Sequence, residues 1–259
     1  YKNFTNLCYN INMKNTFDIN FDFTTDTPYF WETYWNDEMG GVFVDPDSES
    51  KTLKKYHKIV WSKQLPNGEF MNLTEGYGAN YLTWKGFRFG SDSIIASFRY
   101  EKYRFMIKQV MNYLPNYKDF MENYTRKSYT LGGSIIFPKM QGSINQSRGC
   151  NPFIRDRFDL TLECIRKFYN NEKSPLYDTL LKNKSFFDLF VDFKGYVDYF
   201  YLQDLVNDDY SCVIFWIGNG NFEKNPFPKT VEEYLMWIDK QLNFVSNRNK
   251  RILESLTKK

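Results

Sequence analysis

The stretch TVEEYLMWIDKQLNFVSNRNKRILESL, Thr230 to Leu256, decides the class of the fold. Thr230 and Glu233 stand at its head with the spacing of a capping box, in which each side chain satisfies a backbone N–H of the other. Val231, Leu235, Ile238, Leu242, Val245, Asn249, Ile252 and Leu256 then follow at alternating spacings of four and three, which is a heptad seam. The pattern predicts a long terminal helix over residues 229–257, unbroken from near Val231 to near Ile252, with its seam against the chain's own core. A homodimer formed through the seam is the other use open to it. Asn249 interrupts the apolar run and should meet solvent or a polar partner, because an unpaired buried amide costs roughly 1–3 kcal/mol.

Upstream, helical and strand-like periods alternate. KTLKKYHKIVWSK places Leu53, Tyr56, Ile59 and Val60 at helical spacing behind Asp47 or Ser48 as the cap. GSDSIIASFRYEKYRFMIKQVMNYL reads as a long helix opened by Ser91 or Ser93, with Ile95, Phe98, Met106, Val110 and Leu114 on its apolar face. A shorter helix follows through YKDFMENYTRK, and two or three more lie between Ser174 and Ser211. NTFDINFDF, where Phe17, Ile19, Phe21 and Phe23 alternate with polar residues, and the apolar run CVIFWI both read as strands. QLPNGEFMNLTE carries a hairpin-like Pro-Asn-Gly turn, and GYGANYLTWKGFRFG is strand-like between its glycines. In YTLGGSIIFPK, Gly132 and Gly133 point to a bulge or to close approach by another backbone or a ligand. TTDTPYFWETYWNDEMGGVFVDPDSES has no period and reads as a long ordered loop held by Tyr29, Phe30, Trp31 and Trp35. The sum is an α+β fold: a helix-rich single domain over residues 1–259 with a small, mostly antiparallel sheet and a long C-terminal helix, residues 1–16 forming an extended N-terminal segment.

With 42% hydrophobic and 25% charged residues in 259, the chain can bury a core without disulfides or metal. No segment approaches the roughly 18 apolar residues of a membrane span, and the start at Tyr1 has no apolar signal core, so a cytoplasmic bacterial protein is expected. Cys8, Cys150, Cys164 and Cys212 lie far apart and read as free thiols. His57 is the one histidine, which excludes any mechanism needing two imidazoles and any histidine-rich metal site. Zinc, haem, flavin and nicotinamide signatures are absent, and so is the P-loop pattern. A net charge of +3 is too mild to select a partner, and the 20% aromatic content reads as core filler before it reads as stacking platforms for bases.

The candidate site lies in SINQSRGCNPFIRDRFDLTLECIRKFY, Ser143 to Tyr169. Helical spacing puts Asp156, Asp159, Glu163 and Arg166 on one stripe beside an apolar stripe of Phe158, Leu162, Ile165 and Tyr169. Asp156, Asp159 and Glu163 are therefore candidate Mg²⁺ ligands and catalytic base. Asn145, Gln146, Arg148 and Arg166 are candidates to hold an anion near a helix start that Pro152 would open. The alternative is an Arg–carboxylate ladder that only orients the helix. FGSDSII has the glycine-serine opening of a nucleotidyltransferase site but lacks the following acidic pair, so that reading is rejected. His57 is either a general base serving Ser62 or Ser91, or a surface or boundary residue on a lysine-rich helix, which is the commoner case.

Five phrases, KTLKKYHKIVWSKQLPNG, FGSDSII, TLGGSIIFP, INQSRGCNPFIRDRFDLTLECIR and DFKGYVDYFYLQDLV, resemble in order those of a bacterial family known only as a domain of unknown function, from about Asp18 to Ile252. The resemblance implies an intracellular bacterial single-domain protein and carries no activity, cofactor or catalytic residue. Two functions stay open. One is binding of an anionic ligand, a nucleotide, RNA or other phosphorylated molecule, with Mg²⁺-assisted hydrolysis or phosphotransfer. The other is a non-catalytic protein-interaction module, for example in phage defence or its inhibition, using Tyr29 to Trp35 and the terminal helix.

Overall fold

The computed structural model describes residues 17–35, 44–76, 81–96, 104–139 and 143–258. Helices α1 (Phe30–Tyr34), α2 (Pro46–Glu49) and α3 (Lys51–Trp61) lead into strands β1 (Thr74–Glu75), β2 (Leu82–Trp84) and β3 (Phe87–Ser93). Helices α4 (Arg104–Tyr113) and α5 (Tyr117–Ser128) follow, then a 3-10 turn at Leu131–Gly133 and strand β4 (Ser134–Pro138). Next come α6 (Ile144–Cys150), α7 (Phe158–Tyr169), α8 (Tyr177–Lys182), α9 (Lys184–Phe187), α10 (Phe193–Tyr199) and α11 (Val231–Thr257). The four strands form one antiparallel sheet in the order β1-β2-β3-β4. Lys85 and Gly86, both at positive φ, make the two-residue turn between β2 and β3. β4 is buried along its whole length, so the sheet's inner edge lies inside the helices.

Helix α11 is continuous and packs on α4, α5 and the 3-10 turn. Its buried face is Tyr234, Trp237, Ile238, Gln241, Phe244, Val245, Arg248, Asn249 and Ile252. The heptad seam is thus rotated by about one position: Val231, Leu235, Leu242 and Leu256 are only partly buried, while Gln241 and Arg248 from outside the seam point inward. Gln241 Oε1 accepts from Tyr124 Oη. Arg248 donates to the carbonyls of Phe200 (2.9 Å), Gly132 (2.8 Å) and Ser134 (2.7 Å). Asn249 is buried with polar partners: its Oδ1 accepts from Gly132 N (2.6 Å) and its Nδ2 donates to Thr130 Oγ1 (2.9 Å).

Three local readings are corrected. Phe17 to Phe23 forms turns rather than a strand, because Asp18 and Asp22 take the backbone N–H groups of Asn20 and Thr24 with their side chains (2.9 Å each). CVIFWI contributes only an isolated bridge, Val206 to Val213, since Trp216 N is drawn to the Asp159 carboxylate (3.0 Å). Ser91 and Ser93 end strand β3 instead of opening a helix; Phe98 lies outside the described residues. The neighbour of Gly132 is another backbone, as a Cβ there would stand 2.3 Å from the Val245 carbonyl of α11.

Candidate functional site

Side chains alternate along a strand, and the end of β3 uses both directions. Ser91 and Ser93 donate to Asp47, Ser91 Oγ to Oδ1 (2.5 Å) and Ser93 Oγ to Oδ2 (2.8 Å), while Asp92 between them meets Arg148 of α6. Asp47 lies on α2, which Asp45 caps by accepting from Asp47 N (3.0 Å), with Pro46 in the first turn. Arg148 is fully buried and satisfied on all sides. It donates to Asp92, to Thr161 Oγ1 (3.0 Å), to the Ser93 carbonyl (3.3 Å) and to the Asp156 carbonyl (3.1 Å), with the Asp156 carboxylate at 3.6 Å. Arg155 and Asp156 both hold positive φ, 48° and 66°, in the connection before α7, and this turn brings the Asp156 carbonyl to the guanidinium. Asn145 Nδ2 donates to the Ser91 carbonyl (3.2 Å), and its Oδ1 is buried without a hydrogen-bond partner among the described residues. Asp45, Asp47, Asp92 and Asp156 therefore gather from three parts of the chain, Asp92 and Asp156 on Arg148 and Asp45 and Asp47 beside them.

His57 closes the back of this cluster, and its position corrects the surface reading: it is 2% exposed. An indole nitrogen only donates, so Trp61 Nε1 (2.8 Å) fixes His57 Nδ1 as an acceptor and places the imidazole proton on Nε2. Nε2–H then donates to Ser91 Oγ (2.9 Å), whose own proton goes to Asp47. The sequence alternative that paired His57 with Ser91 named two groups that do touch. The direction of the chain is the reverse of a catalytic triad, however: the imidazole gives a proton to the serine oxygen and takes none. A cavity of about 10 Å³ lined by Asp47, His57 and Ser91, near the size of one water, adjoins this chain.

The chain matches the Family of unknown function (DUF6994) over residues 17–252. It belongs to the DUF6994 family. Neither a curated protein nor a solved structure matches it. The family assignment carries no reaction, so the chemistry of this DUF6994 chain has to be read from its side chains.

The residues expected on one stripe go to three places. α7 of the DUF6994 chain starts at Phe158, so Asp156 precedes it and joins the Asp92–Arg148 cluster. Asp159 is buried against Arg157, which grips both its oxygens (3.1 and 2.5 Å), and it also accepts from the backbone of Leu160 and Trp216. Glu163 pairs along the helix with Arg166 at 2.8 and 2.9 Å. Gln146 is exposed, and Pro152 sits in the connection between helices rather than in a first turn. Among the described residues no group of three or more His, Cys, Asp or Glu is arranged to hold a metal ion by itself. Asp45, Asp47 and Asp92 escaped the sequence reading because Asp45 fell in an aperiodic loop, Asp47 read as a helix cap and Asp92 lay in an expected helix start. The serines flanking Asp92 on a strand were the available signal.

Burial makes these carboxyls hard to ionise. It pushes Asp92 up to about 7 against the pull of Arg148, and Asp47 up to about 7, with Asp45 adding to it. Burial also raises Asp45 to about 6 against the Asp47 N–H. Burial opposes the Arg148 charge too, but Asp92 and Asp156 hold its pKa above the ordinary value. His57 goes the other way, lowered to about 3 by burial and then by Arg248. Folded, the DUF6994 chain keeps protons on these aspartates that the unfolded chain releases near pH 4, so their contribution is present at low pH and lost as pH rises through 6 to 7. His57 contributes stability above about pH 6.5 that is lost as pH falls toward 3. Three carboxyls outweigh one imidazole between pH 4 and 6. The melting temperature should accordingly fall between pH 5.5 and 8, by the equivalent of roughly 1–3 kcal/mol, and Asp45→Asn should flatten the slope. A melting temperature that rises over this interval would count against the cluster's electrostatics.

Proposed function

We propose that the chain binds a phosphorylated ligand as its Mg²⁺ complex at the cluster of Asp45, Asp47, Asp92 and Asp156. The observation that carries this is the local imbalance of charge: Asp45, Asp47 and Asp92 raise one another's pKa values and the Asp156 charge adds to the effect on Asp45 and Asp92, with Arg148 and Lys139 as the cations among their electrostatic neighbours. Arg148 already holds Asp92, and Arg166 already holds Glu163, so a bare anion has little to bind. A cation answers the excess. Mg²⁺ keeps much of its water shell and is usually held by one or two carboxylates plus the phosphates of its ligand, so no complete cage of protein ligands is needed. Carboxylates that titrate near neutrality are also suited to take a proton from a water or hydroxyl attacking a phosphoryl group. The interaction-module reading has less support, because its aromatic segment forms helix α1 with Phe30 and Tyr34 buried, and the terminal helix spends its inner face on the core.

The test is a thermal-shift series on the full chain with Mg²⁺ alone, magnesium tripolyphosphate, MgATP, and the same phosphates in EDTA. Stabilisation is expected with the magnesium complexes, about 2.7 kcal/mol at 100 times the dissociation constant, and should vanish in EDTA. Asp45→Asn and Asp156→Asn, both at partly exposed positions, should weaken it while leaving the fold intact. Equal shifts with and without EDTA, or none with any probe, would sink the reading.

A further inference from the structure

Resting on that reading, we infer that the cavity beside Asp45 is a nucleobase subsite with Tyr29 as its stacking platform, which makes the ligand a nucleotide. The segment from Tyr29 to Trp35 holds five aromatic residues, and four of them are spoken for. Phe30 and Tyr34 are buried. Trp31 lies under the Arg126 guanidinium at 4.6 Å, and Trp35 Nε1 donates to Glu122 (3.2 Å). Tyr29 is different: it is 69% exposed, and its backbone is left-handed at φ 59° and ψ 16°. A bulky residue in that conformation is uncommon, since glycine or asparagine relieves it at no cost to a plain turn.

Tyr29 lines an open depression of about 540 Å³ together with Pro28, Val44, Asp45, Ser48 and Glu49. That volume falls within the range of small-ligand sites. Its wall is mixed in the way a base requires, an aromatic face with apolar Pro28 and Val44, and polar Glu49 for the ring's edge. Asp45 belongs both to this cavity and to the carboxylate cluster, so a ligand whose Mg²⁺-bound phosphates sit at the aspartates has its other end beside Tyr29. A base stacks on an aromatic ring whatever its sequence identity, because every base has a π face.

The experiment compares calorimetric affinities of MgATP, MgGTP and magnesium tripolyphosphate for the wild-type chain, Tyr29→Ala and Tyr29→Trp. The nucleotides should bind the wild type roughly 5- to 150-fold more tightly than tripolyphosphate, the range that stacking of one base supplies. Tyr29→Ala should remove this advantage and leave tripolyphosphate binding unchanged, while Tyr29→Trp keeps it. Tripolyphosphate binding as tightly as the nucleotides, or a nucleotide advantage that survives Tyr29→Ala, would overturn the subsite while leaving the Mg²⁺-phosphate reading in place. Failure of all three probes to bind the wild type would overturn both.

Discussion

Replacing Arg148 by alanine should lower the folding stability by roughly 3–5 kcal/mol at pH 8, the usual cost of breaking a buried ion pair from one side. The guanidinium is fully buried and closes Asp92, Thr161 Oγ1 and the carbonyls of Ser93 and Asp156 together. Alanine leaves these acceptors facing a void, and β3 loses its tether to α6 and α7. The loss should be smaller at pH 5.5, because Asp92 already titrates near 7 and can take a proton in place of its partner. Arg148→Lys should recover only part of the deficit, since one ammonium cannot reproduce the planar fork. Urea unfolding at the two pH values measures the effect. A loss below about 1 kcal/mol at both would mean that the arginine is not holding the cluster, a value expected only of an exposed pair.

Gly132→Ala should be nearly as damaging, at roughly 3 kcal/mol or more, for a reason unrelated to charge. The added methyl would sit 2.3 Å from the Val245 carbonyl and 2.8 Å from Asn249 Oδ1, so α11 has to move away from the turn. That movement breaks the 2.6 Å bond from Gly132 N to Asn249 and strains the contacts of Arg248 with the Gly132 and Ser134 carbonyls. Gly149→Ala is the control. It lies on α6 with nothing within 4 Å of the new methyl, and alanine favours the helix by up to about 1 kcal/mol. Parallel denaturation curves for the two variants give the comparison, and similar curves would refute the close approach.

The sequence carried the elements with strong periods and lost those set by side-chain chemistry. α3, α5 and α11 were legible because their apolar residues recur at three and four. The orientation of α11 was off by one position, as the apolar spacing left Gln241 and Arg248 out of the seam, whereas a hydroxyl donor more than a hundred residues away for Gln241, and carbonyl acceptors nearly fifty or more residues away for Arg248, draw them inward. Phe17 to Phe23 alternates as a strand does, but Asp18 and Asp22 spend their carboxylates on the local backbone. The region of the candidate site was legible through Arg148 and Asp156. Its other half was not, because Asp45, Asp47 and Asp92 acquire meaning only when α2 is laid against the end of β3. His57 was hidden for the same reason: a lysine-rich helix gives no sign that its one imidazole faces Trp61 and Ser91.

The bonds from α11 to the Leu131–Gly133 turn also set an order of events during synthesis. The carbonyls of Gly132 and Ser134 wait for Arg248, and the N–H of Gly132 waits for Asn249, each more than 110 residues further along the chain. Until that last helix has left the ribosome, the turn that launches the buried strand β4 stays open and its backbone groups remain hydrated. Contacts of such separation form late and slowly. A nascent chain halted before residue 248 would therefore present an unfinished sheet edge to its surroundings, and premature termination should yield aggregation-prone fragments rather than a smaller folded protein.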